Sequence, residues 1–219
     1  FVFNGKKVKK YFYFSVKHAF LNGKVMALII IDDLTELEEK KRFAEEKNLA
    51  MQQELLLASQ IQKNLMPHDV PSFLGLQIAT LYHPMQELGG DFYDFMDMPH
   101  SSQRGIFISD VSGHGVSAAL ITSMVKALLD NAGENKKSPS LLFSYLNNKL
   151  MDKTSENFLT AFYGVYNERD KTLTYAGAGH PFPFLIREGK IIALESRAMV
   201  LGVFDAIGFE EKKPCFKKG

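Results

Sequence analysis

The sequence has little cysteine and no surplus of either charge. Its single cysteine, Cys215, excludes an internal disulfide framework and fits a reducing compartment, so we expect a cytoplasmic protein. With 26 basic and 25 acidic side chains, the formal net charge is +1, which gives no reason to expect nucleic acid as a partner. No apolar run approaches the roughly 18 residues that span a bilayer, so we expect no transmembrane segment in this chain.

Glycine and proline are absent from residues 33–66, where helix-forming side chains dominate. Such a segment predicts one helix of roughly 50 Å, at about 1.5 Å per residue. Apolar and polar side chains share a seam with 3,4 spacing, which is typical of a weak coiled coil and predicts a homodimer through this helix. For residues 55–65, packing on the helix's own domain is the favoured interpretation. The seam comprises Leu34, Leu37, Lys41, Ala44, Asn48, Met51, Leu55, Ala58, Gln62 and Leu65.

Residues 1–31 alternate between aromatic or β-branched runs and two hairpin-turn signals, Asn4-Gly5 and Asn22-Gly23. They predict consecutive antiparallel strands. The ending Ile31-Asp32-Asp33-Leu34-Thr35-Glu36-Leu37, which leads into a charged helix, resembles the last strands and exit of a PAS sensor domain. An unrelated β-hairpin is the alternative.

Two acidic turns, Gly89-Gly90-Asp91 and Ser109-Asp110-Val111, flank a predicted strand hairpin. The outer ends of a hairpin lie together, so Asp91 and Asp110 should be neighbours. Two carboxylates that close repel each other unless they share a proton or a cation. Hard oxygen ligands of this kind suit Mg²⁺ or Mn²⁺.

The second acidic turn continues into Gly113-His114-Gly115 and a predicted helix over residues 116–130. A glycine-rich turn from strand to helix exposes backbone N–H groups at a positive helix end, where phosphate oxygens bind. Beside two carboxylates, this turn suggests phosphoryl chemistry, with His114 a candidate contact to substrate or to a water molecule beyond the direct metal ligands. Each turn taken alone is better explained as a cap or a sharp bend, and only the two together, at hairpin spacing and followed by a helix, favour the site equally.

The rest of the chain predicts a mixed α+β domain. Ser138-Pro139 should begin a helix that ends near Lys153, with Ser138 as its N-cap. Near the acidic turns, Asp94 and Asp97 are expected to face solvent or a turn, although Asp94 could support Asp91. The expected strands cover residues 76–83, 159–166, 173–176, 182–186 and 190–194.

The runs GGDFYDF and ISDVSGHG, followed by AGAGHP at residues 176–181, resemble the PPM-type metal-dependent protein phosphatases of the SpoIIE-like branch. The resemblance covers the chain from about Ala58 onward. It implies an αββα sandwich of antiparallel sheets flanked by helices. It also suggests three parts: the end of a PAS-like sensor at 1–32, a coiled-coil linker at 33–66, and a phosphatase domain at 67–219 that lacks its C-terminal part.

The resemblance implies that Asp91 bridges two Mn²⁺ or Mg²⁺ ions, and that Asp110 and the Val111 carbonyl bind metal. A metal-activated water would then hydrolyse phosphoserine or phosphothreonine on a bacterial regulatory protein, for example of the anti-sigma-factor antagonist type. His180, within AGAGHP, is interpreted as a structural histidine with a hydrogen-bond partner rather than a general acid.

The family pattern includes two further metal aspartates downstream, and the late acidic residues of this chain have no matching motif around them. Because anionic ligands contribute most of the affinity for such ions, we expect this fragment to be weak or inactive. The alternative is a non-catalytic module that binds a phosphoprotein or relays a signal. The late acidic residues are Asp205, Glu210 and Glu211.

Overall fold

The computed structural model describes residues 2–3, 6–7, 9–84 and 87–214. The chain divides into two compact units, Phe1–Leu55 and Leu56–Gly219. The Asn4-Gly5 turn and Cys215 lie outside the described residues.

Among the described residues of the first unit, two pairs of antiparallel strands form the β structure. Strand β1 (Val2–Phe3) pairs with β2 (Lys6–Lys7), and β3 (Phe12–Leu21) pairs with β4 (Lys24–Asp33). The β3–β4 turn uses Asn22 and Gly23, whose φ angles of 50° and 76° are those that Asn-Gly turns favour. The predicted consecutive antiparallel strands are therefore confirmed for the described residues.

Helix α1 (Thr35–Lys63) follows β4 and occupies most of the predicted helical segment. It begins after Asp33, whose carboxylate accepts a hydrogen bond of 3.0 Å from the Thr35 N–H. It ends before Met66 because the N–H groups of Leu65 and Met66 bond to carbonyls three residues back, in a turn that leads to Pro67. Among the described residues, no helix is long and apolar enough to cross a membrane.

The second unit is built on an antiparallel sheet whose strands, in spatial order, are β5 (Phe92–Asp97), β6 (Gln103–Val111), β7 (Leu159–Asn167) and β8 (Thr172–Ala178). The predicted hairpin is confirmed, with β5 pairing β6 from Phe92↔Ser109 to Asp97↔Arg104. The expected strand over residues 76–83 is wrong: apart from one isolated bridge between Phe73 and Leu76, these residues pair with no strand in the described part of the chain. A separate hairpin joins β9 (Phe184–Arg187) to β10 (Lys190–Ala193).

Helices cover one face of this sheet, and the main core lies between them and the strands. Helix α2 (Val116–Asp130) has the predicted bounds, and a short 3₁₀ helix (Gly133–Lys137) leads to α3 (Pro139–Leu150). Ser138 caps α3 as predicted, but α3 ends before Lys153 because Met151 leaves the helical conformation, with ψ 134°. The α+β class is confirmed. Fully buried core side chains include Phe107, Val111, Val125, Leu129, Leu142, Phe143, Leu146 and Tyr163.

The opposite face of β5 and β6 borders a cavity of about 740 Å³. Its walls are the segment 78–83 and apolar side chains of the two strands. Asp91 and His180 also line it. The cavity therefore adjoins the outer end of the β5–β6 hairpin, where the first acidic turn lies.

Candidate active site

The β5–β6 register brings the two acidic turns together, as the hairpin argument predicts. Phe92 pairs with Ser109, so the next position outward sets Asp91 opposite Asp110. One residue further, the Val111 N–H donates a hydrogen bond of 3.2 Å to the Gly90 carbonyl. This bond continues the pairing past the last strand residue and holds the two aspartates at the same level.

The two carboxylates are close enough to affect each other electrostatically. Burial raises the pKa of Asp110, and the negative charge of Asp91 raises it further. Because a raised carboxyl pKa signals an unfavourable anion, a cation shared by the two groups would stabilise the site.

Gly90 allows the backbone of the two turns to approach closely. A Cβ atom at this position would collide with the carbonyl oxygen of Val111. Because glycine has no side chain, the Val111 carbonyl can lie against Gly90, next to the turn that carries Asp91. The Gly-Gly-Asp sequence signalled a turn, but only the structure identifies the atom that requires glycine.

The glycine-rich turn after β6 adopts a conformation that suits glycine at two positions, with φ of 86° at Gly113 and 79° at Gly115. Gly115 is the N-cap of α2 and no side chain caps this helix. Its own N–H bonds to the Leu88 carbonyl at 3.4 Å, which ties the turn to the chain that leads into Asp91. His114, between the two glycines, is exposed to solvent.

His180 has a hydrogen-bond partner, as predicted for a structural histidine. Its Nδ1 lies 3.0 Å from the Thr160 hydroxyl oxygen, which is also 3.3 Å from the Asp110 carbonyl oxygen. Burial lowers the pKa of His180, and the negative charge of Asp91 partly opposes this effect. Thr160 thus links the AGAGHP segment to the second acidic turn.

Gln62 is a site residue that sequence reasoning assigned to the coiled-coil seam. Its amide makes two hydrogen bonds to the backbone of Gly89, donating to the carbonyl at 2.7 Å and accepting from the N–H at 3.2 Å. The side chain is buried, with 5% of its surface exposed. Packing of the helix end on its own domain, favoured for residues 55–65, is what the structure shows at Gln62.

The expectation that Asp94 faces solvent or a turn is wrong. Asp94 is 4% exposed, because β5 turns it toward α2, where Lys126 contacts its carboxylate at 2.8 Å. Asp97, at the end of β5, is exposed and lies 3.4 Å from Arg104. The spacing of acidic residues could not distinguish them, because it does not reveal which face of β5 the helix covers.

The candidate metal ligands are all hard oxygens: the carboxylates of Asp91 and Asp110 and the carbonyl of Val111. Their chemistry fits Mg²⁺ or Mn²⁺. Among the residues that the structure describes, however, no group of three or more His, Cys, Asp or Glu side chains is arranged to hold a metal. The three oxygens therefore form a partial ligand set.

The fold is shared with solved bacterial phosphatase domains. The PP2C domain of SiaA from Pseudomonas aeruginosa superposes with a TM-score of 0.66 at 23% identity, over 78% of this chain and 68% of that one. The PP2C phosphatase domain of SpoIIE from Bacillus subtilis gives a TM-score of 0.50 at 17% identity, over 59% of this chain and 39% of that one. At these identities the likeness establishes the fold alone.

Sequence relatives identify the family. The phosphoserine phosphatase RsbU of Bacillus subtilis is 31% identical over 169 residues, which are 76% of this chain and 50% of RsbU. The phosphoserine phosphatase RsbP of the same organism is 30% identical over 74% of this chain and 41% of its own length. The chain thus spans half or less of these relatives. The family model for Stage II sporulation protein E (SpoIIE) matches residues 101–219, and the chain belongs to that family.

Proposed function

We propose that this protein is a metal-dependent serine/threonine protein phosphatase that acts on a bacterial regulatory phosphoprotein. The observation that carries the proposal is the register that sets Asp91 opposite Asp110, beside the Val111 carbonyl. The names of RsbU and RsbP support phosphoserine as the substrate group. An anti-sigma-factor antagonist is the kind of partner that we infer.

In this proposal Asp91, Asp110 and Val111 hold Mn²⁺ or Mg²⁺, two ions in the complete site. The bound metal supplies a nucleophilic water at neutral pH and neutralises phosphate charge. Gly113, His114 and Gly115 face the phosphate or its water shell. The absence of a side-chain cap at Gly115 supports this role, because an anion can then meet the N–H groups of the first turn of α2.

We also propose that residues 1–32 end a PAS-like sensor, that 33–66 form a coiled-coil linker in a homodimer, and that 67–219 carry the phosphatase. Exposure of the seam residues Leu37 and Met51, at 61% and 58%, supports a partner helix. Gln62 contacts Gly89 within the second unit, so a movement of the last turns of the linker would be transmitted directly to the first acidic turn.

A second candidate function is a non-catalytic module that binds a phosphoprotein or relays a signal. The observation in its favour is the partial ligand set of the described residues, since two carboxylates hold a divalent ion less tightly than a complete acidic cluster. In this alternative the glycine-rich turn before α2 binds the phosphate group, but the protein does not hydrolyse it.

The deciding experiment is Mn²⁺-dependent release of phosphate from an aryl phosphate and from a phosphoserine protein, by this chain and by the full-length gene product. We expect turnover in the full-length protein, weak or no turnover in this chain, and a loss of about 100-fold or more in full-length Asp110→Asn. Asp97→Asn is the matched control, since Asp97 is an exposed carboxylate at the far end of β5. A folded, Mn²⁺-loaded full-length protein that hydrolyses neither substrate would favour the binding module.

A further inference from the structure

One stripe of helix α2 contacts the first acidic turn and the strand that follows it. Thr122 and Lys126 are four residues apart and therefore lie on the same face of the helix. Thr122 reaches the Gly90 carbonyl, before Asp91, whereas Lys126 reaches the Asp94 carboxylate, after it. The helix thus contacts the chain on both sides of Asp91.

The contact after Asp91 is a part-buried ion pair. Lys126 Nζ lies 2.8 Å from Asp94 Oδ2, and the exposed fractions of the two side chains are 24% and 6%. The other carboxylate oxygen of Asp94 accepts a hydrogen bond of 2.9 Å from the Phe95 N–H. Lys126 also contacts Asp130 at 2.8 Å, on the exposed side. An anion this buried is costly without its partner, so the pair constrains where β5 can lie.

The contact before Asp91 is a hydroxyl group in the core. Thr122 is fully buried, and its oxygen lies 3.3 Å from the Gly90 carbonyl oxygen and 2.9 Å from that of Ala118. The same Gly90 carbonyl accepts the N–H of Val111. The hydroxyl therefore meets the backbone where the two acidic turns join.

We propose that Thr122, Lys126 and Asp94 are positioning residues, named here the α2 clamp, which hold the segment 90–94 at both ends and so fix Asp91 beside Asp110. Helix α2 begins at the turn that contains Gly115, so the clamp also sets the distance between the carboxylates and the anion-binding turn.

The catalytic consequence of the clamp rests on the proposed function, whereas the clamp itself does not. Groups that bind metal and phosphate must keep their geometry to within a fraction of an ångström, and residues that orient metal ligands change metal affinity by about 10- to 100-fold when altered. We therefore expect Lys126→Met to weaken apparent Mn²⁺ binding by about tenfold or more.

The test is amide hydrogen exchange of the metal-free chain, followed by NMR. If the clamp acts locally, Lys126→Met speeds exchange of the Val111 amide by about tenfold or more relative to amides of the β7–β8 ladder. Lys126→Arg should restore most of the protection. Asp130→Asn, which removes only the exposed partner of Lys126, is the matched control and should leave the Val111 amide unchanged.

The clamp would be overturned if Lys126→Met raised the exchange rate of all amides equally, or left the exchange rate of the Val111 amide unchanged. Should Lys126→Met fail to fold, Thr122→Val tests the same point, because it keeps the shape of the side chain and removes its hydroxyl group. Hydrogen exchange is measured without metal or substrate, so its result does not depend on whether the protein shows phosphatase activity. If the wild-type enzyme is active but its Val111 amide is not protected from exchange, the clamp is rejected and the proposed function stands.

Discussion

At the scale of single residues, the site is defined by close approach and by unfavourable charge. Gly90 lies against the Val111 carbonyl, and Asp110 carries a carboxyl group whose ionisation the fold disfavours. Both features are costs that a protein selected only for stability would avoid. Each predicts a specific response to substitution.

Gly90→Ala should destabilise the domain by about 1–3 kcal/mol, because the added methyl group must displace the Val111 carbonyl or the turn itself. The measurement is the free energy of unfolding in urea, with phosphatase activity of the full-length protein as a second readout. Gly208→Ala is the control, since a Cβ at Gly208 meets no atom within 4 Å. Equal effects of the two substitutions would show that Gly90 has no special role.

Asp110→Asn should make the metal-free protein more stable at neutral pH while it removes metal binding. The folded-state pKa of Asp110 is raised, so the folded protein holds the proton more tightly than the unfolded chain. The contribution of this carboxyl is therefore most favourable at acid pH and is lost as pH rises through the folded pKa.

We expect the Tm of Asp110→Asn in EDTA at pH 7 to exceed that of the wild type by about 1–3 °C, and the difference to shrink as pH falls toward about 4. Thermal denaturation across this pH range is the measurement. Added Mn²⁺ should raise the Tm of the wild type only. A variant less stable than the wild type throughout the range would contradict the prediction.

At the scale of elements, the side chain of Gln62 joins the end of α1 to the first acidic turn. The two hydrogen bonds join residues 27 positions apart in the chain and satisfy both backbone groups of Gly89. A glycine carbonyl and N–H left without partners in a part-buried turn would be costly. The contact ties this stretch of helix to the second unit, which begins at Leu56.

Gln62→Ala should lower the free energy of unfolding of the second unit by about 1–3 kcal/mol, because it leaves both groups of Gly89 unsatisfied. Urea denaturation followed by fluorescence of the tyrosines would measure it. Gln60→Ala, at an exposed position of the same helix, is the control and should change little. No difference between the two variants would mean that water replaces the Gln62 amide without cost.

At the scale of the whole molecule, the chain joins two compact units along α1. Residues 39–54 of this helix are all exposed, including apolar seam and off-seam positions. An exposed seam in which apolar and polar side chains alternate, flanked by charged residues, favours a partner helix, which is the basis for the proposed homodimer.

Met51→Glu should raise the dimer dissociation constant by about tenfold or more, because a carboxylate at an apolar position of the seam costs well over 1.4 kcal/mol. Sedimentation of the chain over a concentration series would measure the constant. Phe43→Glu is the matched control, since Phe43 is 69% exposed and lies off the predicted seam. A chain that stays monomeric throughout the series, or equal effects of the two variants, would contradict the homodimer.

Local features of the sequence were sufficient for much of the fold and for the centre of the site. The β5–β6 hairpin, the bounds of α2 and the Ser138 cap all follow from turn formers, helix formers and caps within a few residues of each other. Because a hairpin register relates near neighbours, it also predicted that Asp91 and Asp110 lie together.

Only the tertiary structure decided which element covers which face. Gln62 with Gly89 and Lys126 with Asp94 join side chains to partners far along the chain, and Glu211 accepts hydrogen bonds at the start of α3 from Ser140, 71 residues away. Strand and helix periodicity shows that a side chain faces inward, but it carries no information about the partner that meets it there. For the same reason, apolar residues at 76–83 suggested a strand although the described structure offers them no neighbouring strand to pair with.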